Sequence, residues 1–219
     1  MLSLIKDPLV LAKDFGFQVE SAYFNAGLSS TDSCHIRLGI ANRLKKALQS
    51  LPSGYNFKIW DGYRTTDVQQ RLYDDFFAKL KSQHPEWADL LLHEGVCEFV
   101  SPPTKNPLIA APHNTGGTVD LTIIDDNGNE LPMGTGFDHF DVQAHTYYYE
   151  KTAEGSDERV FHQNRMILYK ALMDVGFYNF PEEWWHFSYG DALWAKHYNE
   201  SILYASCEIS DEELADLNL

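Results

Sequence analysis

Ile36, Ile40, Leu44, Ala47, Leu48 and Leu51 fall on one stripe at helical spacing, so residues 36–51 read as an amphipathic helix stopped by Pro52. The period then shortens to two. "YNFKIW", 55–60, alternates as a strand does, and Asp61-Gly62 breaks it. Helical spacing returns with Val68, Leu72, Phe76 and Leu80, a face opened by a Thr66–Gln69 capping box. Another helix is expected over about 85–96, and "SPPTKNP", 101–107, reads as a loop. "TVDLTII", 118–124, is the clearest strand, followed by a hairpin turn, "DDNGN", in which Asn127 and Gly128 supply positive φ angles. Residues 157–175 form a helix with Phe161, Leu168, Leu172 and Val175 inward, closed by Gly176. Helices and short strands in this irregular order predict an α+β fold, a small, mostly antiparallel sheet with helices packed around it.

Composition narrows the function classes. The 219 residues, 44% hydrophobic and 14% aromatic, suit a single domain spanning 1–219 with a sizeable core. The formal charge of −15, from 32 acidic and 17 basic residues, repels phosphate backbones and anionic lipid, which argues against nucleic-acid and membrane roles. The tail "CEISDEELADL" contributes to that charge and reads as a solvated helix or frayed end. Cys34, Cys97 and Cys207 are odd in number and far apart, which argues against a disulfide framework and a thiolate zinc site. The N-terminal stretch is interrupted by Lys6, Asp7 and Lys13 and does not read as a signal peptide, so cytoplasmic residence is expected.

Three segments carry candidate chemistry. In "PHNTGGTVDLTI", 112–123, Thr118, Asp120 and Thr122 share the strand face opposite Val119, Leu121 and Ile123. His113 would lie about 23–25 Å from Asp120 if the chain were extended. Gly116-Gly117 lets the backbone double back, so the two side chains can converge as metal ligands; the alternative is an aspartate held by turn amides. In "FPEEWWHFSYGD", 180–191, Glu183 and His186 are spaced to point together. His113, Asp120 and His186 would complete a catalytic zinc set with Glu183 beside it as a base, walled by Trp184 and Trp185. Read alone, that segment is better taken as an aromatic core plug with an incidental Glu-His pair; agreement with the other two segments is what weakens that reading. In "IWDGYRTTDVQQ", 59–70, Arg64 sits between a strand end and a helix start, where a guanidinium can stabilise negative charge on a carbonyl oxygen. The competing reading is an arginine paired with Asp61 or Asp67.

Taken in order, "DGYR", "HNTGGTVD" and "EWWH" resemble the zinc D-alanyl-D-alanine dipeptidases, including the enzymes of vancomycin resistance, and more distantly the zinc D,D-carboxypeptidases. The likeness spans roughly residues 20–190. It implies a zinc cleft on the sheet, one Zn2+ per chain on His113, Asp120 and His186, Glu183 rather than Glu182 as general base, and Arg64 as stabiliser of the tetrahedral intermediate. "PMGTGFDHFD", 132–141, matches as well and implies that Asp138 holds the free ammonium of a small dipeptide substrate; Tyr23 is the counterpart of a tyrosine near the pocket. Two positions depart from the pattern. Thr65 replaces the usual proline after the arginine, which predicts a less rigid loop, and Ala111 replaces a serine that helps bind substrate.

Other readings stay open on sequence. His139 and Asp141 with His197 could form an iron-binding facial triad. A D,D-carboxypeptidase acting on peptidoglycan stem peptides, or a zinc-stabilised binding module without catalysis, would use the same metal ligands. Retention of both Glu183 and Arg64 favours an enzyme.

Overall fold

The computed structural model describes residues 4–104, 106, 109–209 and 213–214. Positions 105 and 107 of the expected loop, and most of the acidic tail, lie outside the described residues. In chain order the regular elements are β1 (Leu9–Leu11), β2 (Gln18–Val19), α1 (Ala22–Asn25), β3 (His35–Arg37), α2 (Leu38–Leu48), β4 (Asn56–Asp61), α3 (Thr66–Gln83), α4 (Asp89–Cys97), β5 (Thr118–Ile124), α5 (Asp157–Met173), β6 (Tyr178–Asn179), β7 (His186–Ser188) and α6 (Ala192–Tyr198). Five strands form one sheet in the order β2-β4-β5-β7-β6. Only the β2–β4 pairing is parallel, so the fold is α+β with a mostly antiparallel sheet. No helix among the described residues is long and apolar enough to cross a membrane.

One face of the sheet is apolar. Val119, Leu121 and Ile123 of β5, Phe57 and Ile59 of β4 and Phe187 of β7 are fully buried there. They belong to one cluster with Ile40, Ala41 and Leu44 of α2 and Leu168 and Leu172 of α5. The stripe beginning at Ile36 therefore packs as expected, but the helix starts two residues later. Ile36 is spent in β3, paired with Val10. Gly176 follows α5 at φ 91°, as a helix stop requires.

Local corrections have physical causes. The cap of α3 is Thr65, whose hydroxyl accepts from the Val68 amide at 3.2 Å, so no Thr66–Gln69 box forms. Thr65, the residue after Arg64, thus ties the start of α3 through its hydroxyl. In the hairpin after β5 only Gly128 takes a positive φ (82°), while Asn127 does not. The Asp125 carboxylate accepts the amides of Asn127 and Asn129 and holds the turn instead. The expected 85–96 helix begins at Asp89, after a turn closed by Trp87 N–H to His84 O.

A second, smaller cluster joins α3 to α4 through Tyr73, Phe76, Val96 and Val100, with Phe140 against it. This helical pair stands beside the sheet and forms one wall of a cleft.

Candidate active site

Sheet register lays the floor of that cleft. Asp120 on β5 pairs with His186 on β7 on one side and with Asp61 on β4 on the other. These three polar residues form a row across three strands. In an unbroken β4, Asp61 would share the core face of Ile59. A bulge between Ile59 and Asp61 adds one residue and re-aims the carboxylate to the face of Asp120.

His113 reaches the row from a short 3₁₀ turn, Pro112–Thr115, which ends on Gly116 at φ 70°. Its Nδ1 lies 2.8 Å from the Gly62 carbonyl and 3.1 Å from Asp61 Oδ2, which leaves Nε2 facing Asp120 Oδ2 at 3.3 Å. A side chain at position 62 would lie 2.4 Å from the His35 carbonyl, so glycine is required for this approach. On the other side, His186 Nδ1 lies 3.1 Å from Asp120 Oδ1. Its Nε2 meets the Ser188 hydroxyl at 3.4 Å, and the buried chain continues through Thr118 to Asp191.

The triplet fits a metal ion. Ligand atoms of His113, Asp120 and His186 all lie within 4.8 Å of one another, and all three residues are buried. Asp120 Oδ1 is buried without a hydrogen bond of acceptable geometry, although His186 Nδ1 is close by. Donor atoms that converge without bonding one another are what a shared cation requires, and two imidazoles with a carboxylate suit zinc. Burial opposes the charge on Asp120, but the two histidines outweigh it and hold the carboxyl well below its usual range.

Glu183, Arg64, Asp138 and Tyr23 line the same cavity, of about 350 Å³, as the triplet. Glu183 Oε2 lies 3.6 Å from His186 Nδ1. Burial pushes its carboxyl up to about 7, with the charges of Asp120 and Asp138 adding to the shift and His186 opposing it. Arg64 donates from Nε and Nη2 to Asp61 Oδ2 at 3.1 and 2.6 Å, and from Nη1 to Gln69 Oε1 at 2.7 Å. Arg64 therefore pairs with Asp61, as the competing reading expected, and also lines the cleft. Tyr23 lies under the Arg64 guanidinium at 4.5 Å and donates its hydroxyl to Asp138 Oδ2 at 3.2 Å. Burial and the charge of Asp120 push the Asp138 carboxyl up to about 7. Ala111 also lines the cavity and brings no hydroxyl to it.

Some expectations fail at this level. Trp184 and Trp185 do not face the cleft. They are buried against Trp60 and Phe137, and the rings beside His186 are the His113 imidazole, at 5.1 Å between centroids, and Phe180, at 5.8 Å. His139, Asp141 and His197 do not form the alternative iron site: among the described residues the triplet above is the one group able to hold a metal. Asp61 and Gln69, which orient Arg64, were not singled out as site residues by sequence. Asp61 stands in "DGYR" three positions before Arg64, the one signal that could have marked it.

An α+β sheet whose central strands carry Asp120 and His186, met by His113 from the turn before β5 and flanked by a carboxylate of raised pKa, has the arrangement of a metallopeptidase. The D-Ala-D-Ala dipeptidase family profile matches residues 33–204. The D-alanyl-D-alanine dipeptidase of Synechocystis sp. is 32% identical over 181 residues, covering 75% of this chain and 73% of its own. That of Enterococcus faecalis is 29% identical over 151 residues, covering 68% and 69%. The chain belongs to the D-Ala-D-Ala dipeptidase family. Among solved structures, a vancomycin-resistance D,D-pentapeptidase in complex with Zn(II) aligns at 18% identity with a TM-score of 0.48, covering 80% of this chain and 84% of that one.

Proposed function

We propose that this enzyme hydrolyses the D-alanyl-D-alanine dipeptide with one zinc ion held by His113, Asp120 and His186. The observation that carries the reading is the convergence of that triplet, Glu183, Arg64 and Asp138 on one cavity. When bound, zinc supplies Lewis acidity toward the scissile carbonyl and toward water. Glu183 takes the proton of the attacking water and returns it to the leaving amine, a role suited to a carboxyl poised near neutral pH. Arg64 stabilises the negative charge that develops on the carbonyl oxygen. Three of its five N–H groups are committed to Asp61 and Gln69, which fixes the fork and leaves the others for substrate. Asp138, steadied by Tyr23, accepts the substrate's free ammonium and so limits substrate length.

The same reading treats residues 1–219 as one domain, because the main core cluster draws on residues from Ala12 to Tyr204. It takes the enzyme to be cytoplasmic, supported by three free thiols, which suit a reducing compartment.

The test is kcat/KM for free D-Ala-D-Ala against its N-acetylated form. An acylated amine leaves Asp138 buried without its ionic partner, so a preference of at least about 10²-fold for the free dipeptide is expected. Equal values would remove the dipeptidase reading in favour of a carboxypeptidase. No hydrolysis of either by zinc-loaded protein would leave a binding module.

A further inference from the structure

The loop that carries Asp138 is built around a buried cation. Arg165, on α5, is 1% exposed, and its partners among the described residues are oxygens of that loop. Nε donates to Met133 O at 2.8 Å, Nη1 to His145 O at 2.6 Å and Nη2 to Gln143 O at 3.0 Å, with Thr135 Oγ1 further off at 3.5 Å. The rings of Tyr149 and Trp184 lie 4.8 and 5.7 Å from its Cζ. Burial lowers its pKa to about 10, which still leaves it charged at neutral pH.

Holding a guanidinium in the interior on carbonyl dipoles, without a carboxylate, is expensive, since a buried charge is normally offset by an opposite one. The arrangement has a geometric consequence. Met133 and Thr135 stand at the start of the loop, Gln143 and His145 at its end, and one planar side chain fastens both. The neighbouring Asn164 adds a bond from Nδ2 to Pro132 O at 2.8 Å.

Between these anchors the backbone holds an unfavourable conformation. Asp138 has φ 55°, in the left-handed region that non-glycine residues seldom occupy and that persists only where the surroundings enforce it. Phe137 is pinned beside it, stacked on Trp60 with ring centroids 5.0 Å apart. Arg165 does not itself line the cavity. We infer that Arg165 is a positioning residue for recognition of the substrate's amino end, clamping residues 133–145 so that Asp138 stays presented to Tyr23 and the cleft. The inference rests on the proposed role of Asp138 as the ammonium contact.

The test is Arg165→Lys, which keeps the charge but cannot span both ends of the loop. Zinc content and kcat should be nearly unchanged. KM for free D-Ala-D-Ala should rise about 10–100-fold, the scale expected when a binding group is displaced by about 1 Å. Hydrolysis of the N-acetylated dipeptide should not change, and limited proteolysis should cut faster within 133–145. Asn164→Ala, which frees Pro132 O alone, should shift KM in the same direction by less, and it carries the test if Arg165→Lys does not fold. Equal losses on free and acetylated substrate, or an unchanged KM, would overturn the inference. Asp138→Asn, assayed alongside, separates the two claims. If it abolishes the preference for a free amine while Arg165→Lys preserves it, the clamp alone is wrong. If Asp138→Asn preserves the preference, the ammonium reading fails, and the clamp with it.

Discussion

Glu182 and Glu183 are adjacent and chemically identical, yet only Glu183 turns into the cavity, while Glu182 is exposed. Glu183→Gln should keep the metal and lose about 10²–10⁴-fold in kcat, the usual cost of removing a general base. Glu182→Gln should be nearly neutral; exchanged outcomes in a kcat assay with metal analysis would move the base by one residue. Asp138 makes a separate prediction through pH. Its carboxyl is raised to about 7, so below that pH it is mostly neutral, while the substrate's amine stays charged up to about 8. Affinity should therefore weaken as pH falls. In the Glu183→Gln protein, whose slowed turnover lets binding be measured, the dipeptide Kd should rise about tenfold per pH unit below about 7. A Kd that does not change over that range, measured by calorimetry, would contradict the assignment.

At the scale of elements, the cleft depends on how strands pair. Asp61, Asp120 and His186 form one row because β4 and β7 both pair with β5 at Asp120 and because β4 is bulged. The start of α3 sets the approach of Arg64, and Thr65 secures that start. Thr65→Ala should destabilise the protein by about 0.5–2 kcal/mol in urea unfolding, while Thr66→Ala should cost little. Equal effects would mean that the cap at Thr65 does not matter. This position also shows where sequence reading ends. Adjacent threonines offer the same hydroxyl, and which one caps depends on where the backbone turns helical. β5 was legible because its polar and apolar residues alternate over six positions, 118–123, and the α2 stripe because its spacing repeats. The convergence of His113, Asp120 and His186 was legible because these residues flank glycines and tryptophans in a recognisable order. The approach of Asp61 to His113 and Asp120 was not, since it depends on a bulge in pairing between segments some sixty residues apart. The tryptophans misled for a related reason: residues 183–186 make a turn closed by the His186 amide on the Glu183 carbonyl, which brings Glu183 and His186 together at the cleft while Trp184 and Trp185 fill the core.

For the whole molecule, charge is the controlling quantity. A chain of formal charge −15 gathers Asp61, Asp120, Asp138 and Glu183 around one cleft, against Arg64 and two histidines. A divalent cation held there would relieve that concentration of negative charge and, binding only the folded state, would stabilise it by mass action, about 4 kcal/mol at a thousandfold excess over Kd. Stripping the metal should lower Tm by roughly 10 °C in a chain of this size, and zinc should restore it. His186→Ala should show no such response. The most direct test titrates zinc into metal-stripped protein while following D-Ala-D-Ala hydrolysis. Activity should rise from zero in proportion to zinc and level off at about one ion per chain, and should stay at zero throughout in Asp120→Ala. Full hydrolysis by the stripped protein in the presence of chelator, or zinc-restored activity in Asp120→Ala, would contradict a metal-dependent dipeptidase built on His113, Asp120 and His186.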